Sequence, residues 1–141
     1  MSDSHFMKLA IREGEKNPQA PFGTVIVKDG AVLVRGTNRG SENRVLHGEM
    51  DALLKLSPAD QKAGGLTLYT TAEPCPMCAG AAVWSGIERI VYGVSIEWLM
   101  QNGWAQIDLS SQEVVDKATN VDVSVLGNVE QEACAELFRR A

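Results

Sequence analysis

His47, Cys75 and Cys78 are the residues of this sequence best suited to hold a metal ion. Two thiolates in a C-x-x-C spacing, with an imidazole supplied from elsewhere, make a nitrogen and sulfur set that suits zinc. The chain has only two histidines and three cysteines, so these two short motifs take most of its soft ligands. A structural site would need a fourth ligand. The remaining candidates, His5 and Cys134, lie near the two ends and at no supporting spacing. Three protein ligands leave a fourth position for water, the arrangement of a catalytic zinc, one ion per chain. Zinc lowers the pKa of such a water from about 15.7 to about 7. Glu49, two residues after His47, is close enough to move protons without ligating. Read without a metal, it is a first-turn glutamate stabilised by the helix dipole.

The elements that must position these groups follow from pattern and punctuation. Residues 3 to 16 predict a helix capped by Asp3 or Ser4, with Phe6, Leu9 and Ala10 on one face and Asn17-Pro18 ending it. Residues 23 to 28 and 31 to 38 predict two strands joined by Asp29-Gly30, a two-residue hairpin signal. A helix over 47 to 56 carries Met50, Leu53 and Leu54 on its apolar face. Residues i and i+2 stand about 200° apart around a helix, so His47 and Glu49 can converge only at the helix tip. Ser57-Pro58 starts another short helix. A third strand spans 66 to 70, and Pro76 opens a helix reaching Ser85. Both cysteines therefore sit at a helix N-terminus, where the dipole and free N–H groups favour thiolate. The fourth and fifth strands, 90 to 93 and 121 to 126, are separated by helices over 96 to 101 and 110 to 118. A helical crossover makes that pair parallel. A last helix over 128 to 140 turns Val129, Ala133, Leu137 and Phe138 inward. The expected architecture is a three-layer α/β/α domain on a five-stranded mixed sheet, one domain over residues 1–141.

Composition narrows the class. Hydrophobic residues at 45% and charged residues at 22% are ordinary for a globular domain with its own core. No apolar run reaches membrane-spanning length, and no secretory signal is visible. With two cysteines committed to metal there is no disulfide framework, and the cytoplasm is the expected compartment. A net charge of −5 argues against a nucleic-acid partner, because phosphate contacts usually call for a basic patch. Arg12, Arg35, Arg39, Arg44 and Lys55 are scattered along the chain.

Five motifs occur together: Pro21-Phe22-Gly23, the strand end Thr37-Asn38, His47-Gly48-Glu49, Leu68 to Thr71, and Glu73-Pro74-Cys75 through Gly80. In that order, over roughly residues 5 to 95, the chain resembles the zinc-dependent cytidine and nucleobase deaminase superfamily, whose signature is H-x-E followed by P-C-x-x-C. The resemblance implies the same α/β/α fold and hydrolytic deamination of an aminated heteroaromatic ring. Glu49 would serve first as base and then as acid while ammonia leaves. It also implies Asn38 as a clamp on the ring or its sugar; read alone, Asn38 is a turn residue. Phe22 reads equally as a stacking surface and as a core aromatic. Trp98 follows Gly93 by five residues, the offset at which fungal cytosine deaminases are similar in placing a pocket-capping phenylalanine. Trp98 and Trp104 read equally as core. Gly48 also resembles those enzymes, whereas guanine deaminases and bacterial tRNA adenosine deaminases usually carry alanine there. Glu73 to Cys78 and Trp84-Ser85-Gly86 look more like guanine deaminases. The expected substrate is a free nucleobase, nucleoside or related small aminated heterocycle, with neither nucleic acid nor membrane as partner. Editing of adenosine in tRNA is the second reading, and a non-catalytic zinc-stabilised interaction domain the third. Family members of this size commonly pair, and small residues 79 to 83 beside Trp84 make a homodimer the expected assembly.

Overall fold

A computed structural model describes residues 2–141. Its sheet is built on β1 (Gly23–Lys28), whose side chains alternate between two apolar layers. Val25 and Val27 pack on one side with Phe6, Met7 and Ala10. Ile26 packs on the other with Ala52, Leu53 and Leu68. The two-residue side-chain period thus divides one strand between two cores, and this requires helices on both faces of the sheet. α1 (Asp3–Gly14) and α7 (Gln131–Arg140) cover the first face. α2 (Gly48–Leu53), α4 (Pro76–Trp84) and α6 (Ser111–Asp116) cover the second.

β2 (Ala31–Thr37) pairs antiparallel with β1 through the expected hairpin, with Asp29 and Gly30 both at positive φ, 51° and 75°. β3 (Leu66–Ala72) runs antiparallel to β1, and β4 (Ile87–Val94) and β5 (Ser124–Leu126) then follow in parallel. The sheet order is β2-β1-β3-β4-β5. The fold is the expected three-layer α/β/α arrangement on a five-stranded mixed sheet. α3 (Pro58–Ala63) and α5 (Ile96–Gln101) complete the set.

Several boundaries differ from expectation. β5 has three residues rather than six, and β4 starts at Ile87. α7 starts at Gln131 because Glu130 takes a left-handed conformation, φ 51°. That start puts Cys134, Ala135, Leu137 and Phe138 inward and leaves Ala133 exposed. α1 is capped by Ser2, whose Oγ accepts from the His5 amide at 3.2 Å, and not by Asp3 or Ser4.

Asp3 instead accepts two hydrogen bonds from Arg89, at 2.7 and 2.6 Å, and one from the Tyr69 hydroxyl at 2.7 Å. The Arg89 hydrogen bond holds the Asp3 carboxyl below its usual pKa of 3.8. An acid depressed in the folded state stabilises above its unfolded pKa and loses that contribution as pH falls through the folded value. Asp3→Asn is therefore expected to cost about 1 kcal/mol at pH 7, given the pair's partial exposure. The difference from wild type should vanish in thermal melts below the folded-state pKa.

Candidate active site

Two helix tips meet at one place. His47 is the N-cap of α2, with extended backbone (φ −61°, ψ 161°), and Cys75 is the N-cap of α4 (φ −64°, ψ 168°). Extended backbone at a cap turns the side chain past the helix end. Pro76 starts α4 at the position where its missing N–H costs nothing. Cys78 follows in the first turn, fully buried.

The His47 Nδ1 atom lies 3.6 Å from both Cys75 Sγ and Cys78 Sγ. All three ligand atoms lie within 4.8 Å of one another. A tetrahedral zinc with ordinary Zn–N and Zn–S bonds separates nitrogen from sulfur by about 3.6 Å. The three side chains form a metal-binding triad of that shape, and no fourth ligand joins the cluster among the described residues.

The three ligand groups act on one another's protons. A hydrogen bond from the Cys78 thiol, reinforced by His47, pushes Cys75 down to about 4. The same bond and burial push Cys78 up. The Cys75 hydrogen bond raises His47. The three groups thus interact strongly enough to shift one another's protons, as metal ligands brought this close together do.

Glu49 sits beside the triad, 3% exposed, and its Oε1 accepts from Thr70 Oγ1 of β3 at 3.1 Å. Burial is the main cause of its raised pKa. Asp51, two residues on, faces away from the triad. It accepts from the Thr37 amide at 3.1 Å and pairs with Arg39 at 3.0 Å, which anchors the chain entering α2.

His47, Cys75 and Glu49 line a cavity of about 290 Å³ together with Phe22, Asn38, Glu73 and the run Trp104 to Gln106, while Cys78 lies buried behind them. Asn38 is a turn residue that also faces the cavity. Its Oδ1 accepts from the Gly40 amide at 2.9 Å, as a turn residue does, and its side chain lines the cavity. Phe22 is likewise both wall and packed aromatic, edge-on to Trp104 at 5.7 Å and to Phe138 at 4.9 Å. Trp98 is placed differently from expectation. Ser95 caps α5 so that Trp98 packs toward α7, with Phe138 at 6.4 Å and Arg139 over its ring at 5.7 Å. The cavity's indole is Trp104 instead. Ala105 and Gln106 carried no signal in the sequence, because their place depends on the path of an irregular loop. Glu73 did leave a signal: a lone carboxylate between an apolar strand and the Pro-Cys pair.

The fold and the site define a class, the zinc-dependent deaminases, which hydrolyse the bond between a heteroaromatic ring and its amine. The profile described as "Cytidine and deoxycytidylate deaminase zinc-binding region" matches residues 1–94, and the chain belongs to that family. It is 42% identical over 101 residues to a tRNA-specific adenosine deaminase of Bacillus subtilis, a match covering 64% of this chain and 61% of that protein. The chain thus spans about three fifths of that relative's length. It is 32% identical over 143 residues to a tRNA-specific adenosine deaminase of Streptococcus pyogenes, covering 96% of this chain and 81% of that one.

Among solved structures, one from a study of tRNA:A34 deaminases aligns with TM-score 0.74 and 28% identity, over 95% of this chain and 99% of that one. A guanine deaminase from Nitrosomonas europaea aligns with TM-score 0.82 and 24% identity, over 98% and 83%, a likeness of fold. These relatives correct two expectations. The expected likeness to fungal cytosine deaminases is present, at 33% identity over 104 residues to a probable cytosine deaminase of Schizosaccharomyces pombe (70% of this chain, 64% of that protein), but tRNA-adenosine and guanine deaminases stand ahead of it. The expectation of no nucleic-acid partner is overturned by relatives whose named substrate is tRNA. Net charge sums the whole surface, whereas RNA is gripped by a local patch. No helix among the described residues is long and apolar enough to cross a membrane.

Proposed function

We propose that this chain deaminates adenosine in tRNA by hydrolysis, with one zinc ion held by His47, Cys75 and Cys78. The reading stands on one observation: a buried Glu49 beside a two-sulfur, one-nitrogen cluster, with His47, Cys75 and Glu49 opening onto one cavity. The likeness to tRNA-specific adenosine deaminases supports the choice of substrate. The cavity's volume, at the low end of small-ligand pockets of roughly 300–1,000 Å³, suits one base turned out of its strand.

When bound, zinc supplies a water acidified from a pKa of about 15.7 to about 7. The chain's own residues do the rest. Thr70 holds Glu49 Oε1, which leaves Oε2 to carry protons. Glu49 Oε2 takes one proton from the attacking water and passes it to N1 of the adenine ring; it then takes the second proton, from the hydroxyl added to C6, and delivers it to the N6 amine, which leaves as ammonia. Its burial keeps the carboxyl's proton affinity closer to neutrality than that of an exposed glutamate, as a group acting alternately as base and acid requires. Phe22 and Trp104 flank the ring and exclude water, and the Asn38 amide nitrogen orients it, since Oδ1 is already engaged by Gly40.

The test compares zinc-loaded protein on an anticodon stem-loop RNA bearing adenosine with the same protein on free adenine, guanine, cytosine and adenosine. The expected result is inosine in the RNA, at a rate that falls with added salt as counterion release demands. Ammonia from a free base with unaltered RNA overturns the reading.

A further inference from the structure

Glu73 is a buried carboxylate, 7% exposed, that the chemistry above does not use. Its partners are all neutral donors. Oε1 accepts from the Ile96 amide at 2.9 Å, and Oε2 accepts from the Ser111 amide at 2.7 Å and the Ser111 hydroxyl at 3.0 Å. Its own amide donates to the Val94 carbonyl at 2.8 Å. One residue therefore joins the end of β3, the end of β4, the start of α5 and the start of α6. Charge-assisted bonds of this kind are stronger than neutral ones, and a carboxylate offers acceptors to several donors at once.

The segment so tied has a particular content. Between α5 and α6 the chain runs from Asn102 to Ser110 without helix or strand, and much of it is exposed. Trp104, Ala105 and Gln106, which line the cavity, lie in it. Trp104 bonds back to Leu99 through its amide at 2.9 Å, and its ring meets Phe22. Glu73 holds the segment's far end at Ser111 directly and its near side through the first residue of α5. Two residues later the chain reaches Cys75.

We propose that Glu73 is a positioning residue: its carboxylate fixes the Trp104–Gln106 wall over the metal-binding cluster and so sets the shape of ring the cavity accepts. Its effect on substrate rests on the deaminase reading above, but the order it imposes on the wall does not. A glutamine at this position offers one acceptor oxygen and turns an NH₂ toward a backbone donor, so at least one buried N–H loses its partner.

The experiment uses full-length, zinc-loaded Glu73→Gln and Ser111→Ala, with the anticodon stem-loop RNA as probe. For Glu73→Gln we expect one zinc per chain, KM raised about tenfold with kcat changed less than about threefold, the pattern of lost binding rather than lost chemistry. Amide hydrogen exchange should accelerate over residues 102 to 111 and stay unchanged over 76 to 84. Unchanged KM with a still-protected wall overturns the proposal. So does loss of zinc along with turnover, which would make Glu73 a support for Cys75. Should Glu73→Gln fail to fold, Ser111→Ala decides. It removes one of the three bonds and should raise KM about threefold and loosen the same segment; no change in either overturns the proposal. A wild-type protein inactive on RNA sinks the substrate reading instead, and the exchange measurement then judges the clamp by itself.

Discussion

Glu49→Gln is expected to fold, to hold one zinc per chain, and to lose about 10³-fold in kcat, within the usual range for removing a general acid–base. The three ligand atoms belong to other residues, so metal analysis should not distinguish variant from wild type. The glutamine oxygen can still accept from Thr70 Oγ1, which keeps the side chain in place. Only the ability to take and return a proton is removed. Stability of the metal-free protein should move the other way. Burial raises the Glu49 carboxyl above 4.5, so the folded state binds its proton more tightly than the unfolded chain does. The metal-free wild type therefore loses stability as pH rises through that folded pKa, and Glu49→Gln removes this part of the slope. Measured turnover within tenfold of wild type, with zinc intact, would take catalysis away from Glu49. It would also favour a domain that uses its metal for shape alone.

The parts of the site that could be read in the sequence are those whose position is local. Cys75 and Cys78 are set by one helix start, which Pro76 announces, and His47 and Glu49 by another. Val25, Ile26 and Val27 show their two cores by simple alternation. The rest depends on chain paths that no spacing encodes. Trp98 and Trp104 are six residues apart, and which one reaches the cavity is decided by where Ser95 starts α5 and how the following loop doubles back onto Leu99. Glu73 resembles any pre-helix glutamate until Ile96 and Ser111, 23 and 38 residues downstream, are seen to converge on it. The overturned expectation about nucleic acid fails for a similar reason: a sum of charges has no location, whereas phosphates are gripped at particular places on a folded surface.

Gly48→Ala is expected to cost about 1–3 kcal/mol of stability, as overpacking of a tight contact does, and to lower kcat/KM by about 10²-fold through displaced groups. A Cβ on Gly48 would sit 2.2 Å from the Phe22 carbonyl oxygen and 2.9 Å from its carbon. Neither atom is the end of a flexible side chain. The opposing contact is equally close, because a Cβ on Gly36 would lie 2.3 Å from the Gly48 carbonyl oxygen. The tip of α2 is thus pressed, backbone on backbone, into the angle between β1 and β2. Relief of the clash must move either Phe22, whose carbonyl accepts from the Asn38 amide at 3.1 Å, or the helix tip itself. The first shifts two walls of the cavity; the second shifts His47 and Glu49, which flank residue 48. Zinc should remain bound, since helix α4 supplies two of the three ligands. Thermal melts, metal analysis and steady-state kinetics on Gly48→Ala separate these effects. A variant as stable and as active as wild type would show that the approach of α2 to β1 is not what places the catalytic carboxylate.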